Sequence, residues 1–194
     1  METSPVNPPG TDPRELVRLH FRALETGDPV LTRRLVAPEH VNWMAADEPP
    51  ACALRGPAGF LATGAWLRGA FAELAWEEVA THVDGDWVAA RVRMRGVHRG
   101  PFVVFPPGGK PEVFPPTGRA IAVAQAHFFR MRERLSIEHV AVRDDLGMMT
   151  QLGFLPPGPG VALRLAFFHL SGRARRAVAE VVEQAAQAAG GADE

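Results

Sequence analysis

Residues 76–98 read WEEVATHVDGDWVAARVRMRGVH, and the alternation in the second half of this stretch decides the fold class. Val88, Ala90, Val92 and Met94 alternate with Ala89, Arg91, Arg93 and Arg95. Successive side chains on a strand point to opposite faces, so this spacing predicts a strand with one apolar and one solvated face. His98 shares parity with the apolar set. Asp84-Gly85 is a tight-turn pair that joins this strand to a partner over residues 76–83. A second hairpin is expected from residues 120–131 and 136–144, turning near 132–134. Between the two hairpins lie Pro106, Pro107, Gly108, Gly109, Pro111, Pro115 and Pro116, a loop too rich in proline for a central strand.

Upstream the period changes to that of helices. Asp12 can cap, Pro13 sits at the first helical position, and Leu16, Leu19, Ala23 and Leu24 follow until Gly27. Asp28-Pro29 repeats this grammar for a shorter helix carrying Leu31, Leu35 and Val36, which Pro38 ends. Residues 40–44 read as a short strand. A third helix is expected over 57–74, with Phe60, Leu61, Trp66, Leu67, Ala70, Phe71 and Leu74 recurring every three or four residues. Beyond Pro156-Pro157, residues 161–187 read as one or two further helices, followed by a disordered tail over 188–194. Residues 1–10 read as a flexible leader. Helices gathered on one face of an antiparallel sheet make an α+β architecture. The expectation is one cone-like domain over 11–157, a curved antiparallel sheet packed on N-terminal helices, with a C-terminal helical extension over 158–194. A curved sheet closed by helices encloses an apolar pocket.

Four segments, in order, resemble the SnoaL-like polyketide cyclases, relatives of nuclear transport factor 2. Residues 138–153, EHVAVRDDLGMMTQLG, resemble the family's closing strand, E-H-W-x-x-x-D-x-x-G-x-x-x-Q-L-G. Residues 70–74, AFAEL, resemble A-F-x-D-L; residues 96–102, GVHRGPF, resemble G-T-H-x-G-x-F; and residues 116–119, PTGR, resemble P-T-G-[KR]. The resemblance implies the cone-shaped fold, homodimers, and cofactor-independent closure of a polyketide ring by aldol chemistry with a carboxylate as acid–base. The family's aspartate maps to Asp144. Val140 replaces the usual Trp, and the segment between Phe102 and Pro116 is longer than in relatives.

The candidate site follows from strand parity. Arg130 belongs in water, which turns Gln125, His127 and Phe129 inward. On the next strand Val140, Val142 and Asp144 share a face, which places Asp144 at the rim of the cup beside His127. Glu138 has the same parity at the far end. A carboxylate partly withdrawn from water has a raised pKa and becomes a working base beside a carbonyl. His127 and Gln125 would then handle the oxygen, with Asn42, Trp43 and His98 lining the substrate site. Plain structural roles stand beside these: Asp144 as a cap of the turn at Leu146-Gly147, His127 and His98 as satisfied core histidines, Trp43 as core, and His139 and Asp145 as outward-facing or capping residues.

Composition removes other chemistries. The formal net charge is −1, so no global field draws nucleic acid or an anionic membrane. One cysteine, Cys52, cannot form an intrachain disulfide. There is no tyrosine, hence no phenol to act on an oxyanion, whereas eleven Phe and four Trp suit the walls of an apolar pocket. No H-x-x-x-H, H-E-x-x-H or G-x-S-x-G occurs, so neither metal nor cofactor is expected. With no long apolar segment and no charged-then-apolar leader, the expected location is the cytoplasm. The partner expected is a small apolar or aromatic substrate. Ring closure leads; a non-catalytic ligand-binding cone and epoxide opening are the alternatives. Epoxide opening needs two carboxylates with an arginine between them, and Arg143 beside Asp144 does not supply that, because neighbours on a strand face opposite ways.

Overall fold

The computed structural model describes residues 12–192, and the expected leader over 1–10 lies outside the described residues. The first two helices form where the capping residues place them. Helix α1 (Pro13–Thr26) starts at Asp12, whose carboxylate accepts from the Arg14 amide at 3.0 Å, and ends at Gly27 with φ of 70°. Helix α2 (Pro29–Leu35) is capped by Asp28 through the Leu31 amide at 3.0 Å.

Strand β1 (Val36–Asn42) starts earlier than expected and runs through Pro38. It tolerates the proline because it is an edge strand, where a missing N–H breaks no ladder bond. Two 3₁₀ turns, Trp43–Asp47 and Pro50–Ala53, lead to α3 (Gly56–Ala70). The helix stops before Phe71, and the residues expected to be its last turn open β2 (Phe71–Asp84) instead. Phe71 and Leu74 serve the core from either conformation, so apolar spacing could not separate the two.

The central hairpin is β2 and β3 (Trp87–His98); the second is β6 (Ala120–Arg132) and β7 (Leu135–Arg143). The five-stranded sheet runs β1-β7-β6-β3-β2, antiparallel except where β1 lies parallel to β7. Register shifts in β2, between Ala72 and Ala75 and between Glu78 and Ala80, bend the strand where it wraps the helices. The proline-rich loop forms a flap, a two-stranded ribbon of β4 (Phe102–Val104) and β5 (Glu112–Phe114).

Three helices complete the chain: α4 (Asp145–Leu152), α5 (Pro159–Leu170) and α6 (Arg173–Gly190). The expected tail is ordered through Ala192, which is buried and whose carbonyl accepts from Arg33 at 2.8 Å. Two cores divide the sheet. α1 and α2 pack Leu16, Val17, Phe21 and Leu35 onto Val88, Val92 and Phe129. At the other end, α3, α4, the flap and α6 meet around Phe71, Met94, Phe102 and Leu152, with the small residues Ala177, Val181 and Ala185 letting α6 lie close.

Candidate active site

A cavity opens beside the second core, walled by Trp66, Phe71, Met94, Phe102, Phe114, Met148 and Met149. Its polar lining is Asp47, Glu112, Gln125, Arg143 and Asp145. Its volume is about 180 Å³, below the roughly 300–1,000 Å³ of pockets that enclose a whole drug-sized ligand. It has room for one end of a larger molecule and not for the whole of it.

The ladder explains which side chains arrive there. Gln125 pairs with Arg143 and His127 with Ala141 across β6 and β7. Directly opposed residues share a face, so Ala141 and Arg143, not Val140 and Val142, continue the inward face of β6. Val142 is 66% exposed in consequence. Asp144 therefore points away from the cavity and from His127. Its carboxylate caps α4, accepting from the Gly147 amide at 2.8 Å. The expected Asp144–His127 pair does not form. Three carboxylates do reach the cavity: Asp47 from the turn after β1, Glu112 from the flap and Asp145 from the first residue of α4.

Arg143 organises this wall with a side chain only 17% exposed. Its Nη2 donates to both Asp47 oxygens at 3.0 and 3.3 Å, its Nη1 lies 3.5 Å from Glu48 Oε1, and its Nε lies 3.6 Å from Asp145 Oδ2. Nε is buried with no hydrogen-bond partner. Burial raises the Asp145 pKa above the ordinary aspartate value, and the Arg143 charge pulls against that. Burial also pushes Glu48 up, to about 7, opposed by a hydrogen bond from Thr63 Oγ1 at 2.8 Å and by Arg143.

Gln125 is held from both sides. Its Oε1 accepts from the Trp76 indole N–H and faces His127 Nε2, each at 2.9 Å, leaving the amide nitrogen against the weak acceptor Met94 Sδ at 3.2 Å. His127 is buried and lies behind Gln125, with its pKa driven down to about 3, chiefly by burial.

The other expected site residues lie off the cavity. His98 is fully buried with Nδ1 3.2 Å from Thr117 Oγ1, between Phe71 and Phe154. Phe129 is core, stacked on His139. Trp43 is 61% exposed and donates to Glu138 at 2.8 Å on the surface, and neither lines the cavity. Val140 sits on the outer face of β7 opposite Phe128. Asn42 caps the first 3₁₀ turn and bonds inward to His139. Sequence reasoning missed Asp47, Glu48, Arg143, Asp145 and His139. Pairing the second hairpin residue by residue from its turn sets Val142 opposite Gln125; the register shift between Arg130 and Met131 moves the ladder by one residue and turns Arg143 inward, a change with no local signal in the sequence. Among the described residues, no three His, Cys, Asp or Glu side chains are grouped to hold a metal ion. No described helix is long and apolar enough to cross a membrane.

The model of the SnoaL-like polyketide cyclase family matches residues 14–152. Among curated proteins the chain is 33% identical over 146 residues to the aklanonic acid methyl ester cyclase DauD of Streptomyces sp. strain C5, covering 75% of this chain and 84% of DauD. It is likewise 33% identical over 146 residues to the aklanonic acid methyl ester cyclase DnrD of Streptomyces peucetius, covering 75% of this chain and 93% of DnrD. Among solved structures, TsrD from Streptomyces laurentii superposes with a TM-score of 0.60 at 25% identity, covering 74% of this chain and 98% of TsrD.

Proposed function

The chain belongs to the SnoaL-like polyketide cyclase family, and from that premise we propose that it closes a ring of a polycyclic aromatic polyketide by intramolecular aldol condensation, without a cofactor. The relatives' names supply the substrate class, a methyl ester of the aklanonic acid kind. The observation that carries the chemistry is one cavity wall holding Asp145, Arg143 and Gln125 opposite apolar and aromatic side chains.

Asp145 takes the place that sequence analysis assigned to Asp144. Its carboxylate removes a proton from the carbon next to a substrate carbonyl. The electron pair of that C–H bond moves onto the carbonyl oxygen, which the Gln125 amide N–H and the Arg143 guanidinium receive. The enolate carbon then attacks a ketone of the same molecule, and the new alkoxide recovers the proton from Asp145. The apolar walls hold the two carbons close enough for this to be intramolecular. His127 acts through Gln125.

Asp145→Asn tests the reading with aklanonic acid methyl ester as the assayed substrate. General-base loss lowers kcat by roughly 10²–10⁴-fold while substrate affinity is kept. A variant within threefold of the natural protein would reject Asp145 as the base. The exposed Leu163, Phe167 and Leu170 on α5 support a homodimer, which the mass in solution tests, and a buried lone Cys52 accords with a cytoplasmic protein.

One observation favours a second reading. Asp47 and Asp145 flank Arg143, which is the carboxylate–arginine–carboxylate order that epoxide opening requires. In that case one carboxylate activates water against an epoxide carbon while the other group delivers a proton to the leaving oxygen. Incorporation of ¹⁸O from labelled water into a diol product separates it from ring closure, which incorporates none.

A further inference from the structure

His127 and His139 stack with ring centroids 5.2 Å apart and meet through His127 Nδ1 and His139 Nε2 at 2.9 Å. Their other nitrogens face oxygens: His127 Nε2 meets Gln125 Oε1 at 2.9 Å, and His139 Nδ1 meets Asn42 Oδ1 at 3.0 Å. Neither amide can turn round freely. Gln125 Oε1 already accepts from the Trp76 indole at 2.9 Å, and Asn42 Oδ1 from the Met44 backbone amide at 3.1 Å, both groups that only donate. Two imidazoles thus stand in a row between two fixed acceptors. The row has three contacts, each needing a hydrogen, and a neutral pair brings two.

On the other side of Asn42 the count is reversed. The Glu48 side chain is 2% exposed and faces the donor-only groups Asn42 Nδ2 at 3.4 Å and Arg143 Nη1 at 3.5 Å, beside the Thr63 hydroxyl at 2.8 Å. A protonated carboxyl could donate only to the Thr63 hydroxyl and would waste the Asn42 and Arg143 donors, whereas a carboxylate uses all three.

We propose that Glu48 is ionised and that its proton resides on the His127–His139 pair, forming a buried ion pair bridged by the Asn42 side chain. Burial of each group alone favours the neutral form, but moving one proton between them leaves the net charge of the cluster unchanged. The two opposite charges then stabilise each other through the Asn42 side chain that lies between them. Other charged groups bear on the pair: Arg143 opposes the added charge, and His20 and His40, packed nearby, oppose it only if protonated. Phe21 and Phe129 supply the apolar faces against the two rings.

The consequence deepens the proposed ring closure and rests on it. The pair's charge lies behind Gln125, so His127 donates to Oε1 and polarises the amide. The Gln125 N–H that meets the enolate oxygen becomes a stronger donor. Glu48, Asn42 and His139 are then positioning residues, since none lines the cavity.

Imidazole ¹⁵N spectra of the ligand-free protein at pH 7 test the ion pair without reference to turnover. Three of the four ring nitrogens of His127 and His139 are expected to carry hydrogen, and Glu48→Gln is expected to return the pair to two. Two protonated nitrogens in the natural protein, or three in Glu48→Gln, would overturn the proposal. Should Glu48→Gln misfold, the natural protein's spectrum alone decides. Kinetics then separate the readings. Glu48→Gln is expected to lower kcat on the order of tenfold with KM unchanged, short of the roughly 10²–10³-fold lost with an entire oxyanion donor. An intact three-proton signature with no turnover of aklanonic acid methyl ester by the natural protein would sink the ring-closure assignment and leave the ion pair standing.

Discussion

Three histidines outside the cavity wall make the fold acid-sensitive, and His20 allows the effect to be measured. His20, His40 and His98 are 0%, 2% and 0% exposed, and the Nε2 of each is buried without a partner. Burial lowers each pKa from 6.5 to about 4. The folded pKa lies below the unfolded one, so the unfolded chain binds protons first. Stability is therefore complete above pH 6.5 and is lost as pH falls towards 4. A ring shifted this far costs the folded state about 2 kcal/mol at pH 5 and about 3.4 kcal/mol well below pH 4. Three such rings together remove about 6 kcal/mol at pH 5, comparable with the roughly 5–15 kcal/mol by which a domain is stable.

His20 lies between Phe60 and Phe129, with ring centroids at 5.9 and 5.0 Å, and its Nδ1 contacts only the Leu16 carbonyl of its own helix. His20→Leu keeps the apolar packing and removes the titrating ring. Urea unfolding at pH 7.5, 6 and 5, followed by circular dichroism, reads the result. The natural protein is expected to lose stability steeply from pH 6.5 to 5, and His20→Leu to lose about 2 kcal/mol less over that interval. Parallel pH profiles for the two proteins would refute the reasoning, because they would show that His20 takes up no proton differentially on unfolding.

Asp144→Ala removes the α4 cap at Gly147 and is expected to lower stability by about 1 kcal/mol, read from denaturant midpoints, while turnover stays within twofold. That contrast with Asp145→Asn separates capping from chemistry at adjacent positions. Gln125→Leu keeps the cavity wall but deletes the oxyanion donor, and kcat is expected to fall by roughly 10²–10³-fold in the cyclisation assay. Ala185 is fully buried where α6 packs on the core, so Ala185→Leu overpacks that contact and is expected to cost about 1–3 kcal/mol in thermal unfolding.

Much of the architecture was legible locally. Asp12-Pro13 and Asp28-Pro29 start α1 and α2 because capping is a contact between near neighbours. The alternation of Val88 to Met94 with three arginines set the faces of β3, and Arg130 set those of β6, because a charge on an open sheet face belongs in water. The same rule failed on β7. Val140 and Val142 look like core and face outward, while Arg143 looks like surface and faces inward. What reverses them is the ladder with β6 and the carboxylates of Asp47 and Glu48, which come from nearly a hundred residues earlier in the chain. An isolated strand carries no trace of a neutralising partner that distant. Family membership and the sheet could therefore be read from residue order. Which carboxylate reaches the cavity, and which histidines share a hydrogen-bonded row behind it, were decided by tertiary packing, because burial of a charge depends on who stands opposite it.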